Sequence, residues 1–385
     1  MVVFRLAWNN FFRSRHRFFL ASLGLMMVTT LSVSLLSLTH GLATQTRKSM
    51  ENRQVDLYLL PTQTMLTPFV EQFGNSSVTL PADLAEKISQ KRTVSAVCRV
   101  SPFTFYFKDR WFHFIGIEPD KFNVFYPSPF RLSRGSLIIP RSDTLMLGSQ
   151  LAELFHLNVE YMLSLGNQDL KVSGILAKMG GAEDSQGFIP LEEAAAFTKK
   201  PGYSMLYVQL NNEASIPEVK KEITEEYPDV AVYTAKDYFA PTFHFLQRLK
   251  IIEWGIVAVV ILVVFLMQNE IFLGAAEARS KEYAIFQAFG ASRAFIFAWI
   301  LLEGFITFLV SLFPGLIFGF LGGTALNDLL VELFHLSFPV AGFSFSLLAI
   351  STGIALFVTV IALVSPSVLM TNLKVFNELE KQLCD

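Results

Sequence analysis

The chain has 385 residues, 52% of them hydrophobic, with 38 Phe and a formal net charge of -2. That apolar share exceeds the norm for a soluble domain, and the balanced charge excludes the basic surface that nucleic-acid binding needs. The average hides two materials: charge concentrates between residues 41 and 250, and four long apolar runs lie outside that stretch.

Residues 1–17 carry Arg5, Arg13, Arg15 and Arg17 ahead of the first apolar run, Phe18 to Thr39. At ~1.5 Å per residue such a run crosses a ~30 Å hydrocarbon slab. Gly41-Leu42-Ala43 offers a small-x-small cleavage site. The run is nevertheless longer than the ~7–15 residues of a signal core, so 18–40 reads as a retained first span.

Residues 41–250 read as a mixed α/β domain. Leu42 to Arg53 has few helix breakers, and Ala235 to Lys250 carries an apolar series at Phe239, Phe243, Leu246 and Leu249 with Pro241 near its start, so both should continue the flanking spans as stalks. Val55 to Leu60 reads as a strand, and Pro81 to Ile88 as a helix with Pro in its first turn. The aromatic runs Phe103 to Phe107 and Trp111 to Ile117 flank Lys108-Asp109-Arg110 as a hairpin. Further on, Leu137-Ile138-Ile139 precedes a helix from Ser149 to Phe155, then strands at Tyr161 to Leu165 and Leu170 to Leu176. By composition Gly180 to Gly187 is a flexible, exposed loop. Met205 to Leu210 reads as a strand, Ile216 to Glu226 as a helix and Val230 to Tyr233 as a closing strand. Two subdomains, 55–130 and 131–235, fit these elements.

The remaining spans are 251–273, 295–323 and 343–366, joined by a 274–294 loop and a short 324–342 loop. Arg279, Lys281 and Arg293 lie in the first of these loops, Lys374 and Lys381 in the 367–385 tail, and no Lys or Arg lies in 324–342. The positive-inside rule therefore places both termini and 274–294 in the cytoplasm, with 41–250 and 324–342 outside. On this topology Cys98 is outside and Cys384 inside, so they cannot pair within one chain. The fold class is a membrane protein of four transmembrane α-helices, with a large mixed α/β extracytoplasmic domain between the first and second.

Glu277 to Arg293 has a polar first half, an apolar second half and a Gly stop. As a helix it sets Ala278, Ile285 and Phe289 on one face with Lys281 at its edge, Gly290 as C-terminal cap and Ser292 as cap of the next helix. Such a face rests on lipid or docks a partner. In the third span Gly315, Gly319 and Gly323 recur every four residues, for packing within the chain or as a dimer seam, and Pro314 should kink the helix. Glu303 should face protein or lie toward the headgroups.

The run Lys281-Glu282-Tyr283-Ala284-Ile285-Phe286-Gln287-Ala288-Phe289-Gly290-Ala291-Ser292, followed by Leu301-Leu302-Glu303-Gly304, resembles the signature of FtsX-like, MacB-type ABC transporter permeases. The four-span layout extends the likeness over the chain, and Ala7 to Arg13 is similar to the family's amphipathic N-terminal helix. Pro366 to Leu373 departs from the usual Arg-rich tail, and Tyr283 stands where Ile is common, as in the DevC-like branch. The resemblance implies a non-catalytic permease subunit in a bacterial inner membrane. It implies an ATPase-coupling role for Lys281, Glu282, Ala284, Ile285, Phe286, Ala288, Phe289, Gly290 and Ala291.

The implied partners are a cytoplasmic ABC ATPase that carries ATP and Mg, a second permease copy or paralogue, a periplasmic adaptor or lipoprotein, and membrane lipid. The chain has no G-x-x-x-x-G-K-[ST] phosphate loop and no H-E-x-x-H, C-x-x-C or G-x-S-x-G motif, so no cofactor or metal is expected in it. His113 is simplest as a strand side chain, and Asn75-Ser76-Ser77 as a chance sequon. The expected activity is export or extrusion of amphipathic cargo. The alternatives are LolC/LolE-like lipoprotein release, FtsX-like control of wall hydrolases, and a membrane-anchored enzyme or sensor.

Overall fold

The computed structural model describes residues 15–69, 78–107, 109–127, 132–140, 142–166, 168–199 and 202–371. The N-terminal amphipathic segment, the sequon, Cys384 and the 372–385 part of the tail lie outside them. The chain forms two units. One, the helical unit, comprises 1–40, 249–327 and 341–385; the other, the sheet unit, comprises 41–248 and 328–340.

Among the described residues four helices are long and apolar enough to cross a membrane. They are α1 (Arg15–Asn52), α7 (Ala235–Glu277), α9 (Arg293–Leu333) and α10 (Phe345–Thr371). α1 and α7 run through the predicted stalks without a break, and Pro241 lies inside α7. Within the helical unit Leu25 and Val28 of α1, Val264 of α7, Phe308 of α9, and Ala355 and Val358 of α10 share one apolar cluster.

The sheet unit is built on β1 (Leu57–Pro61), β2 (Val94–Phe107), β3 (Arg110–Ile117), β4 (Leu132–Gly135), β5 (Thr144–Leu147), β6 (Met162–Leu165), β7 (Gln168–Leu176), β8 (Gln186–Pro190), β9 (Met205–Leu210) and β10 (Val230–Thr234). Helices α2 (Leu84–Ser89), α3 (Phe122–Phe125), α4 (Ser149–Leu154), α5 (Leu191–Thr198) and α6 (Ile216–Glu226) complete it. The strands form a single sheet in the order β10-β1-β9-β2-β3-β8-β5-β7-β4, with β6 on β7. Pairing is antiparallel except for β3 with β8 and β5 with β7. The aromatic hairpin forms as its alternation predicts, pairing Tyr106 with Trp111 and Phe103 with Phe114.

Because side chains alternate across a strand, β1 feeds two cores. Leu57 and Leu59 meet Leu84 and Ile88 of α2 and Val219 and Ile223 of α6. Tyr58 and Leu60 meet Phe122, Phe125 and Tyr126 on the other face, where Tyr58 stacks on Tyr238 of α7 at 4.2 Å. Each large side chain buried here contributes roughly 1.5–3 kcal/mol. A third core packs Phe112, Phe114, Leu145, Leu147 and Val172 under α4 and α5.

Two expectations change. The sheet does not divide near residue 130, because β9 and β10 return to flank β1, so 205–234 lies with the first half of the domain. Gly181 to Gly187 is not a flexible, exposed loop: Ala182–Ser185 is a buried 3-10 turn leading into β8. The Glu183 carboxylate accepts from Arg53 Nε at 2.8 Å and pairs with Arg53 Nη2 at 2.8 Å, with both side chains fully buried. Ser49 Oγ also donates to Glu183, at 3.3 Å, and accepts from the Ala182 N–H at 2.7 Å. Asp184 accepts from the N–H groups of Met179 and Gly180 at 2.9 and 2.7 Å. Burial raises the Asp184 carboxyl above the usual range, with these N–H groups pulling the other way. A polar, Gly-rich stretch is thus held because Glu183 finds partners across the fold and Asp184 finds them in the residues just before it.

Candidate functional site

The segment between α7 and α9 holds α8 (Ser280–Ala288). α7 stops at Glu277 and residues 278–279 turn, so Ala278 is not on the same helix as Ile285. Gly290 takes φ +89, which suits Gly. Its N–H reaches Gln287 O at 3.0 Å and the Ala291 N–H reaches Phe286 O at 2.9 Å, the Schellman pattern that ends a helix. The Ser292 hydroxyl accepts from the Phe295 N–H at 3.2 Å and caps α9.

α8 has two faces, and the expected coupling residues divide between them. Ala284 is buried beside Tyr283, while Phe286, half-buried, sets its ring edge-on to Trp299 at 5.4 Å. Tyr283 meets Trp299 in the same way at 5.4 Å. Glu282 and Ala291 are half-buried. Lys281, Ile285, Ala288, Phe289 and Gly290 are exposed, with Ile285 at 54% and Phe289 at 88%. The first four follow the i, i+4, i+7, i+8 spacing of one helical face.

What holds α8 is a buried ion pair that sequence reasoning missed. Arg279 Nη1 donates to both Glu303 carboxylate oxygens, at 2.7 and 2.9 Å, and Trp299 Nε1 donates to Glu303 at 2.9 Å. Phe18 of α1 lies under the guanidinium, 5.9 Å from its ring centroid. Glu303 therefore faces protein. The available signal was a single carboxylate in an apolar span, 24 residues after an Arg that directly precedes α8. Arg17 Nη1 donates to Gly274 O at 2.8 Å near the C-terminal end of α7, where a cation is favoured.

The Gly stripe of α9 lies along α1. A Cβ at Gly315 would stand 2.8 Å from Thr29 Cβ, and one at Gly319 would stand 2.6 Å from Val33 Cβ. At Gly323 the obstacles are Phe343 at 2.8 Å and Ser37 Oγ at 2.9 Å. Close approach lets Ser34 Oγ donate to Gly319 O at 3.0 Å and Thr30 Oγ1 to Gly315 O at 3.3 Å. His113 is a buried β3 side chain. Burial pushes the Cys98 thiol well above its ordinary range. Among the described residues no group of three His, Cys, Asp or Glu could hold a metal ion.

The family model described as MacB-like periplasmic core domain matches residues 18–226, and that described as FtsX-like permease C-terminal matches 254–375. Among solved structures, the periplasmic region of MacB from Actinobacillus actinomycetemcomitans is 10% identical. That match covers 49% of this chain and 92% of that one, with TM-score 0.35. The extracellular domain of the noncanonic ABC-type transporter YknZ from Gram-positive bacteria is 14% identical, with 47% and 99% covered and TM-score 0.34. A search of curated proteins finds no match. Two family models, consecutive along the chain and together spanning both units, establish that it belongs to the MacB/FtsX-type family of ABC transporter permeases.

Proposed function

We propose that this chain is the membrane subunit of an ATP-driven extrusion system, in which a separate cytoplasmic ATPase seats on the exposed face of α8. Membership of the family implies an ABC ATPase partner and oligomerisation. The observation that carries the docking assignment is the contrast between the two faces of α8: one is locked by Tyr283 and Phe286 against Trp299, while Ile285 and Phe289 stand uncovered. ATP and Mg belong to the ATPase. Its closure would push α8, and the Arg279–Glu303 pair would pass that push to α9. The sheet unit, outside the cell membrane, would then move amphipathic cargo.

In a complex co-expressed with its ATPase, Phe289→Asp puts a carboxylate into the buried contact and removes an aromatic anchor, each worth about 1.5–3 kcal/mol or more. ATPase recovered with the folded permease should fall at least tenfold. A wild-type yield would leave α8 resting on lipid and overturn the docking assignment.

Orientation is tested by labelling in a Cys384→Ser background, where Cys98 is buried and chemically silent. A membrane-impermeant maleimide applied to intact cells should modify Tyr161→Cys, at a residue 52% exposed, and leave Lys281→Cys untouched. The reverse pattern would invert the topology.

A further inference from the structure

The sheet unit contains an apolar cavity of about 650 Å³, and none of the described residues that line it is charged. Its size falls in the ~300–1,000 Å³ range of small-molecule sites. Leu42, Phe245 and Leu330 supply walls from α1, α7 and α9, Phe334 from the connector after α9, while Trp111 and Thr104 close it from the aromatic hairpin. The connector after α9 is pinned to that hairpin, with the Trp111 N–H donating to His335 O at 3.0 Å and Arg110 Nη1 to Leu336 O at 3.1 Å.

Its place along the chain indicates what enters it. Leu42 is three residues beyond Thr39, Phe245 six before Ile251 and Leu330 seven beyond Gly323. At ~1.5 Å per residue each lies within about 10 Å, along its own helix, of the end of an apolar span. Tyr106 and Trp111, 45% and 44% exposed with ring centroids 4.8 Å apart, are the residue types that gather at membrane–water interfaces. A peptide backbone or an ion in this lining would leave polar groups unpaired, since the described side chains offer only the Thr104 hydroxyl and the Trp111 indole N–H. A hydrocarbon chain would not. The Arg110 guanidinium beside Leu336 provides the cation that a phosphate headgroup would meet at the edge.

We propose that this cavity takes an acyl chain of an outer-leaflet phospholipid, with the headgroup phosphate toward Arg110. The inference rests on the orientation proposed above and names the lipid class that the sheet unit would engage.

The test uses the full permease–ATPase complex in nanodiscs containing phosphatidylglycerol with a diazirine near the end of one acyl chain. Photolysis should label peptides containing Trp111 and Leu330 to Val340. Leu330→Trp and, separately, Thr104→Phe, at half-buried positions, fill the space and should cut that labelling at least tenfold in complexes of unchanged elution volume. Labelling confined to the four spans would overturn the site. So would labelling equal to wild type in both filled variants, or a disulfide between two Phe334→Cys copies with no lipid adduct, which would make the cavity a subunit contact. Labelling that appears only when a lipidated cargo is added would assign the cavity to cargo instead and overturn the phospholipid. Loss of the site with Tyr161→Cys still labelled from outside would leave the orientation standing.

Discussion

Glu183→Ala should lower the stability of the sheet unit by about 3–5 kcal/mol, because it strands the Arg53 guanidinium, fully buried, without its counter-charge. For a unit of this size that corresponds to a fall in Tm of roughly 6–20 °C. The reading is thermal unfolding of the detergent-solubilised permease followed by intrinsic fluorescence. Glu183→Ala should lose more than the double variant Arg53→Met/Glu183→Leu, since removing both charges abolishes the desolvation cost that removing one exposes. The pairing is also a statement about the first stalk: Arg53 directly follows α1, and Ser49 and Asn52 lie on its last turn. An unchanged Tm for Glu183→Ala would mean that the pair anchors nothing.

Gly319→Leu should separate α9 from α1. The first added carbon alone would stand 2.6 Å from Val33 Cβ, with Thr30 O 3.3 Å away, so the helices must part before the rest of the side chain is placed. Overpacking of this kind costs about 1–3 kcal/mol, and the Ser34 to Gly319 hydrogen bond adds ~0.6 kcal/mol when it stretches. Gly353 supplies the control, because a Cβ there meets nothing within 4 Å. Gly353→Leu should leave the unfolding temperature of the solubilised protein within about 2 °C of wild type, while Gly319→Leu lowers it clearly. Equal behaviour of the two would refute close packing on α1. Dissociation of a permease dimer by Gly319→Leu at unchanged unfolding temperature would assign the stripe to a subunit seam.

The helical framework was legible because length and hydropathy decide it locally, and the helix ends were legible because caps are local too. Gly290 and Ser292 could be read as stop and start from neighbours in sequence. The aromatic hairpin and β9 were equally clear from their runs of strand-forming side chains. What escaped depends on distant partners. β4 and β5 have four residues each and β8 has five; β5 and β8 are buried on both faces, so neither shows the polar–apolar alternation that marks a half-buried strand. Gly180 to Gly187 has the composition of an exposed loop, and it is Arg53 and Ser49, about 130 residues earlier, that make its centre a buried turn. In the candidate site, spacing placed Ile285 and Phe289 on one face. It could not say that Phe286 was already taken by Trp299, or that Arg279 reaches Glu303.

The order of the strands has a mechanical consequence. α1 leads into β1, and β10 leads into α7 through the consecutive residues Thr234 and Ala235. β1 and β10 are antiparallel neighbours in which Leu57 opposes Thr234, so both stalks join the same end of one strand pair. A force that pulled the stalks apart would fall first on that single rung and open the ladder rung by rung, each backbone hydrogen bond contributing only about 0.5–1.5 kcal/mol. A force that carries both stalks together loads no rung at all. The stack of Tyr58 on Tyr238 closes the same joint from the side-chain layer. The sheet is thus hung to follow a common displacement of its two stalks and to yield when they diverge.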